Sequence, residues 1–416
     1  MNRAIVAFML LTVPFAAAGC GRTDLWDLGD VNSNSSTDTN SGGNRTVGGA
    51  TGTGGTGAQG GTAPPRLVAK SIASSYNCTC AVLNGGVVKC WGDNSYGELG
   101  DGTTTNRTGP VTVPGITNAL AIAVGGTHTC SLLNGGRVQC WGDNSSGELG
   151  NGTTTNSLVP VTVSGITNAS AVAAGAFHTC LQLIGGTIHC WGPNDFGELG
   201  NGTATSSLVP VTVSSITNAV AVASSTYRTC ALLNGGSVWC WGDNSSGQFG
   251  NGTTASSSVP VTVSGITSAL AVATSYYNTC AVLNGGTVLC SGDNGFGQLG
   301  NGTTTNSLVP VTVSGITNAI AVAPGLKHSC ALLQGGSVQC WGDNSFGELG
   351  NGTTMSSLVP VTVSGITNAL AIAAGYGDSC ALLNSGSVQC WGLNNYGQLG
   401  NSTTTNSSLP VTVSGF

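Results

Sequence analysis

The chain has 416 residues and a formal net charge of −6; 6% of its residues are charged and 40% are apolar. Its ten lysines and arginines are scattered singly, so no basic stripe is available to contact phosphate groups, and we expect no nucleic-acid partner. The low charge and the 67 glycines are typical of a packed, turn-rich structure rather than a charged disordered chain.

Residues 1–19 are predicted to be a lipoprotein signal peptide, with an apolar stretch too short to span a bilayer. The "AAGC" at its end resembles a bacterial lipobox, which implies a lipid anchor on Cys20, although Ala17 stands where leucine is usual. Because Gly21 rather than aspartate follows the cysteine, the resemblance implies an outer-membrane lipoprotein of the bacterial cell envelope. The alternative is an ordinary secretory signal cut near Ala18.

Residues 20–66 are rich in Gly, Ser, Thr and Asn and nearly free of the branched apolar residues that a core requires. We expect a disordered, flexible linker with an end-to-end distance of roughly 35–40 Å. With a lipid on Cys20, this linker would tether the rest of the chain to a membrane surface.

From residue 67 onward the sequence repeats every 50 residues, seven times and without an insertion. The copies are 67–116, 117–166, 167–216, 217–266, 267–316, 317–366 and 367–416. Each contains an Ala-rich run, two runs around a turn that predicts a hairpin and is Asn-Gly-Gly in four copies, and a run such as "VPVTVSG". An integral number of four-stranded units without polar end caps favours an all-β, seven-bladed β-propeller over an open solenoid. The Ala-rich strand is predicted to be innermost, because seven strands around one axis leave room only for small side chains.

Fourteen cysteines form pairs separated by nine residues, and each pair should face its partner across a hairpin. In an oxidising compartment we expect seven disulfides, with buried free thiols or a metal site as alternatives; the spacing disfavours zinc. The pairs are Cys80 with Cys90, Cys130 with Cys140, Cys180 with Cys190, Cys230 with Cys240, Cys280 with Cys290, Cys330 with Cys340 and Cys380 with Cys390. Cys78 is left over and is either buried or linked to a partner.

The five residues that follow each Ala-rich strand differ from copy to copy, whereas the rest of the repeat hardly changes. By sevenfold geometry these segments should emerge on one face, where unlike loops on a rigid framework form a binding surface. Tyrosine and arginine are typical of interface hot spots, whereas neutral drift, the alternative, would favour small polar residues. The candidate partner-binding residues are Tyr76, His128, Phe177, His178, Tyr227, Arg228, Tyr276, Tyr277, Lys327, His328, Tyr376 and Asp378.

The segment "WGDNSSGELGNGT", preceded by a Gly-x-x-His motif and a hairpin glycine, resembles the repeat of the regulator of chromosome condensation family. The resemblance covers the seven copies and implies a seven-bladed propeller without shared catalytic residues. The copies depart from the family pattern at two positions. The histidine is replaced by Cys78, Arg228, Asn278 and Asp378, and Ser291 replaces a tryptophan in the fifth copy.

Together these features predict an exported, membrane-tethered scaffold that binds an unidentified protein through one face, with no enzymatic activity, cofactor or metal. One alternative is a glycan-binding protein or envelope hydrolase that uses the same face, with the three histidines as bases. Another is guanine nucleotide exchange, which the resemblance implies and the envelope compartment disfavours. Calcium binding at the Asp-Asn turns is disfavoured by their spacing. A position that alternates between Glu98 and Gln248 in different copies suits a hydrogen-bonding residue better than a general acid.

Overall fold

The computed structural model describes residues 67–416, so the predictions for the signal peptide, Cys20 and the linker lie outside the described residues. Residues 67–416 form seven antiparallel sheets, each built from four strands in consecutive order. This arrangement confirms the predicted seven-bladed β-propeller of four-stranded blades.

We number the blades in chain order. The strands are β1 (Ala69–Ser75), β2 (Cys78–Leu83), β3 (Val88–Gly92) and β4 (Arg107–Thr112) in blade 1; β5 (Ala119–Val124), β6 (His128–Leu133), β7 (Val138–Gly142) and β8 (Ser157–Thr162) in blade 2; β9 (Ala169–Ala174), β10 (Thr179–Leu183), β11 (Ile188–Gly192) and β12 (Ser207–Thr212) in blade 3; β13 (Ala219–Ser224), β14 (Arg228–Leu233), β15 (Val238–Gly242) and β16 (Ser257–Thr262) in blade 4; β17 (Ala269–Thr274), β18 (Asn278–Leu283), β19 (Val288–Gly292) and β20 (Ser307–Thr312) in blade 5; β21 (Ala319–Pro324), β22 (His328–Leu333), β23 (Val338–Gly342) and β24 (Ser357–Thr362) in blade 6; and β25 (Ala369–Ala374), β26 (Asp378–Leu383), β27 (Val388–Gly392) and β28 (Ser407–Thr412) in blade 7. A short 3-10 turn, Asn84–Gly86, lies in the hairpin of blade 1.

The hairpin between the second and third strands of each blade has the predicted register. In blade 4, the amide of Leu233 donates to the carbonyl of Ser237 at 2.9 Å, which closes a three-residue loop. Gly236 in this loop has a φ of 86°, and a Cβ on it would lie 2.8 Å from the backbone of Ser268, so glycine is required.

Disulfides join all seven predicted cysteine pairs, and the paired Cα atoms lie 4.0 to 4.1 Å apart. In each blade the two cysteines are direct partners on the ladder between the second and third strands. The bonds join Cys80 to Cys90, Cys130 to Cys140, Cys180 to Cys190, Cys230 to Cys240, Cys280 to Cys290, Cys330 to Cys340 and Cys380 to Cys390. The prediction of hairpin disulfides is therefore confirmed. Cys78 is a free, buried thiol, which agrees with the first of the two alternatives given for it.

The Ala-rich strands line the centre of the ring, as predicted. Each of them contacts the Ala-rich strand of the next blade, and β1 of the first blade lies beside β25 of the last. The closed geometry leaves these strands little lateral space, and alanines such as Ala221 and Ala321 are fully buried there. Within residues 67–416 there is no helix whose length and apolar character would let it cross a membrane.

Tryptophan side chains join neighbouring blades. Trp141 of blade 2 packs in one apolar cluster with Leu99 of blade 1, and its indole Nε1 donates to the carbonyl of Glu98 at 2.8 Å. The same bond closes the ring, because Trp91 of blade 1 donates to the carbonyl of Gln398 of blade 7 at 2.8 Å. The first and last blades are thus joined by the same kind of contact that joins the other neighbouring blades.

Candidate binding face

Two sets of loops leave each blade at the same end. Because the strands are antiparallel, the turn after the first strand and the loop after the third strand emerge side by side. In blade 4, Arg228 at the start of the second strand pairs with Gly242 at the end of the third. We call the surface formed by these two sets of loops the loop face; the hairpins between second and third strands lie on the opposite face. The expectation that the variable segments share one face is met in this geometry.

Five of the predicted partner-binding residues are buried, and for these the prediction was wrong. Each opens, or directly precedes, the second strand of its blade and points beneath the loop face toward the next blade. At most 1% of each residue is exposed, which leaves no surface for a partner to contact. The five are His128, His178, Arg228, His328 and Asp378.

The buried histidines hold adjacent blades together. Nε2 of His128 lies 2.7 Å from Oγ1 of Thr179, and Nε2 of His178 lies 2.8 Å from Oγ1 of Thr229, each in the following blade. Burial lowers the pKa of His128 to about 4 and that of His178 to about 3, so both rings are neutral at physiological pH. The imidazole of His178 also explains the glycine of the Gly-x-x-His motif, because a Cβ on Gly175 would lie 2.5 Å from its Cε1 atom.

Arg228 occupies the same buried position in blade 4 and organises the turn of blade 5. Its guanidinium donates to the carbonyls of Ser275 and Asn278, the latter at 2.9 Å. Burial lowers the pKa of Arg228 to about 9, which still leaves it protonated at neutral pH. Through these hydrogen bonds, the buried Arg228 holds the turn that carries Tyr276 and Tyr277 in place.

Asp378 occupies this buried position in blade 7 and bonds to blade 1. Its Oδ2 accepts a hydrogen bond from Oγ of Ser74 at 2.8 Å, and its Oδ1 is buried without a partner among residues 67–416. Burial raises the pKa of Asp378 to about 7.

The other seven predicted residues lie on the loop face with at least part of the side chain accessible: Tyr76, Phe177, Tyr227, Tyr276, Tyr277, Lys327 and Tyr376. Four of them form a row of touching rings across blades 3 to 5. The ring centroids of Phe177 and Tyr227 lie 5.8 Å apart, those of Tyr227 and Tyr276 6.0 Å, and those of Tyr276 and Tyr277 4.2 Å. Tyr76 and Tyr376 form a separate pair at 6.2 Å.

Sequence reasoning missed a second set of aromatic residues on the loop face, in the loops after the third strands. They occupy the variable position of the "DNSxG" motif and are 38% to 47% exposed: Tyr96, Phe196, Phe296, Phe346 and Tyr396. The ring of Phe196 lies 4.9 Å from that of Tyr227, and Nζ of Lys327 lies 4.2 Å from the ring centroid of Phe296. The signal was available, because five of the seven copies carry an aromatic residue directly before the glycine of that motif.

Two cavities open on the loop face. The first, of about 60 Å³, lies at the centre of the ring and is lined by turns from all seven blades. There the Tyr76 hydroxyl lies 3.4 Å from Oγ1 of Thr226 in blade 4. The second, of about 170 Å³, lies between blades 1 and 2 and is lined by aromatic and carboxylate side chains. Among residues 67–416, no group of three or more His, Cys, Asp or Glu side chains is placed to hold a metal ion.

Comparison with known families and structures gives one consistent result. The sequence model of the RCC1-like domain matches residues 168–416, and models of the regulator of chromosome condensation (RCC1) repeat match 86–132, 135–182, 69–98 and 120–148. The sequence has no significant match among curated proteins.

Solved structures show the same fold. Human WBSCR16 superposes with a TM-score of 0.72 at 22% identity, covering 79% of this chain and 94% of that one. Prp20p from Saccharomyces cerevisiae, described with its binding to Gsp1p and histones, superposes with a TM-score of 0.70 at 20% identity, covering 84% and 88%. Yeast RCC1 (Prp20) in a structure with Kap60 gives 0.71 at 20% identity, covering 89% and 91%.

Proposed function

The chain belongs to the family of RCC1-like repeat propellers, and from this premise we propose that it is a scaffold that binds a protein partner through its loop face. The observation that carries the proposal is the row of rings from Phe177 to Tyr277, extended by Phe196. We call these five residues the aromatic strip: Phe177, Phe196, Tyr227, Tyr276 and Tyr277.

The strip has the properties of an interface hot spot. Tyrosine and phenylalanine bury large areas while few rotatable bonds are frozen, which makes them favoured anchors in protein interfaces. The supporting turns are held in place by the buried Arg228, by the disulfides and by the closed ring. Little ordering entropy is therefore lost on binding, and more of the contact energy is available as affinity.

The nature of the partner and of the compartment is part of the proposal. Prp20p binds Gsp1p and histones according to its structural description, which supports protein binding as the general role of such a propeller. Export and tethering through a lipid on Cys20, in a bacterial envelope, rest on the sequence of residues 1–66 alone. That location favours an envelope protein as the partner and disfavours guanine nucleotide exchange.

We further propose that the chain is not an enzyme. The three histidines that could have served as bases are buried, neutral and bonded to Thr or Ser hydroxyls of the next blade. A base in such a position has no access to a substrate on the loop face. A glycan-binding role would use the same strip, since sugars also stack on aromatic rings, and the experiment below separates the two.

The test compares the double variant F196S/Y227S with I184S, using the intact tethered protein as bait in an envelope extract. Ile184 is a matched control because it is 72% exposed but lies in a hairpin on the opposite face. The proposal expects one protein to be recovered with the wild type and with I184S, and its recovery to fall about tenfold or more with the double variant. Equal recovery with all three baits would contradict it, and recovery of glycan without protein would favour the alternative.

A further inference from the structure

We propose that the cavity between blades 1 and 2 is a binding pocket for a lysine side chain of the partner protein. The inference rests on the proposed function, because it names the chemistry of one anchor on that partner. It is carried by the residues that line the cavity, by an unsatisfied carboxyl pair, and by an equivalent contact elsewhere in the same ring.

The lining of the cavity combines aromatic rings with acidic groups. The rings of Tyr76, Tyr96 and Phe177 border it together with the carboxyl groups of Asp93 and Glu98, and no Lys or Arg is among its described lining residues. Carboxylates and the faces of aromatic rings both attract cations, and together they form the kind of cage that binds ammonium groups. The charge of the cavity thus selects a cationic occupant.

Glu98 has one carboxyl oxygen without a partner. The residue is 3% exposed, and its Oε2 accepts a hydrogen bond from the amide of Tyr96 at 2.8 Å. Its Oε1, like Oδ2 of Asp93, has no hydrogen-bond partner among residues 67–416, where the one ion pair is Arg107–Asp101. Burial, assisted by the nearby Asp93 carboxylate, raises the pKa of Glu98 to about 7.

Blades 4 and 5 show what the carboxyl pair is missing. There glutamine replaces the glutamate, and its Nε2 donates to Oδ2 of the preceding aspartate: Gln248 to Asp243 at 2.9 Å, and Gln298 to Asp293 at 2.7 Å. In blade 1 the Glu98 carboxyl takes the place of this amide, and no hydrogen bond joins it to Asp93, although both residues line the cavity. A lysine ammonium carries three donors and would satisfy both acceptors.

The ring contains its own example of a lysine at this place. Counted by the 50-residue repeat, Phe296 corresponds to Tyr96, and Lys327 corresponds to Thr127. In blades 5 and 6 the Lys327 ammonium lies 4.2 Å from the ring centroid of Phe296. In blades 1 and 2 the short Thr127 instead lines an open cavity beside Tyr96.

The volume of the cavity suits a single side chain. At about 170 Å³ it is close to the cavities of about 150 Å³ that accept one benzene molecule. A long alkyl chain ending in an ammonium fits this space and can place its methylenes against the rings. A divalent metal ion would use the two carboxyl groups but would gain nothing from the aromatic walls.

The test measures binding of a lysine probe to the intact protein, without any partner. Nα-acetyl-lysine methylamide is titrated by ligand-observed NMR, with the neutral Nα-acetyl-norleucine methylamide as the reference compound. The variants are E98Q, which installs the residue found in blades 4 and 5, and T127K, which installs the residue found in blade 6. E198Q is the matched control, because it makes the same change in blade 3, where Tyr227 covers Phe196.

The pocket predicts that the lysine probe binds the wild type and E198Q equally, that E98Q weakens binding about tenfold, and that T127K abolishes it because its own ammonium fills the cage. Equal binding of the norleucine compound, an E98Q variant that binds like the wild type, or displacement of the lysine probe by Ca²⁺ would each overturn the pocket. The cavity shares Phe177 with the aromatic strip, but Phe196 and Tyr227 are not among its lining residues. A failed F196S/Y227S experiment would therefore overturn the proposed function and leave the probe result standing.

Discussion

Phe249 and Ser291 lie on either side of the junction between blades 4 and 5, and each departs from the residue found at the other six junctions. Elsewhere a leucine of one blade and a tryptophan of the next share one apolar cluster, as Leu199 and Trp241 do. At this junction the cluster contains Phe249, which supplies the aromatic ring, and no tryptophan. Ser291 still donates to the carbonyl of Gln248 at 3.3 Å, as the tryptophan Nε1 does elsewhere.

The two substitutions should therefore be coupled. We expect F249L alone to destabilise the fold by about 1 kcal/mol through a cavity, and S291W alone by about 1 to 3 kcal/mol through overpacking. The double variant F249L/S291W recreates the common junction and should be at least as stable as the wild type. Denaturant unfolding of all four proteins measures the coupling, and additive effects would refute the compensation.

The glycine three residues before each buried histidine should contribute as much to the stability of the fold as the histidine itself. A Cβ on Gly175 would lie 2.2 Å from the carbonyl oxygen of Ser225 and 2.5 Å from the His178 ring, so G175A should destabilise the fold by about 3 kcal/mol or more. Blade 4 offers the control, because Ser225 holds the same position beside Arg228 and already carries a Cβ. Thermal unfolding should show little change for S225A, and similar losses for both variants would contradict this explanation.

Arg228 should act on the binding face without touching the partner. R228Q removes the donors to the carbonyls of Ser275 and Asn278, at a cost of about 1 to 3 kcal/mol to the turn of blade 5. We expect faster hydrogen exchange at residues 275–278 and weaker partner recovery. R137Q, at an exposed hairpin residue on the opposite face, is the control. Unchanged exchange in the turn with R228Q would show that Arg228 does not position it.

The buried Asp378 and His178 should respond to pH with opposite signs. The pKa of Asp378 is raised to about 7, so the folded state keeps a proton that the unfolded state has already lost. The contribution of this proton to the unfolding free energy falls as the pH rises above the usual aspartate pKa, and it is gone above pH 7. Because the pKa of His178 is lowered to about 3, its contribution is complete above pH 6.5 and is lost as pH falls. When the pH is raised from 5 to 8, the unfolding free energy of D378N should therefore rise by about 2 to 3 kcal/mol relative to that of the wild type. The unfolding free energy of H178N should fall by about 2 kcal/mol relative to the wild type over the same range. Unfolding free energies at the two pH values provide the check, and shifts of the same sign would contradict the assignment.

The fold could be predicted from the sequence because the repeat aligns seven copies of every strand, disulfide and turn. The exposure of individual loop residues could not. Residues 127 and 128 are neighbours in a variable segment, and only the contact of His128 with Thr179 in the next blade shows which of the two faces inward. Arg228 was misassigned for the same reason, since arginine is rarely buried and its carbonyl partners come from another blade.

The cavity between blades 1 and 2 was equally hidden in the sequence. It depends on Tyr96 and Thr127, which are far apart in the repeat and meet only where one blade packs on the next. The aromatic residues of the "DNSxG" loops were not predicted as binding residues, because only the fold places these loops beside the variable turns. The sequence pattern of one repeat predicts the contacts within a blade, but it does not predict the contacts between blades.

Site-specific photo-crosslinking tests most directly whether the loop face is the binding surface. A photoreactive phenylalanine analogue is placed at position 227 or 276 in the aromatic strip, or at position 184 on the opposite face, and each protein is irradiated in its own envelope. The account predicts one common crosslinked protein from positions 227 and 276 and none from position 184. The same product from position 184, or no protein product from either strip position, would contradict it.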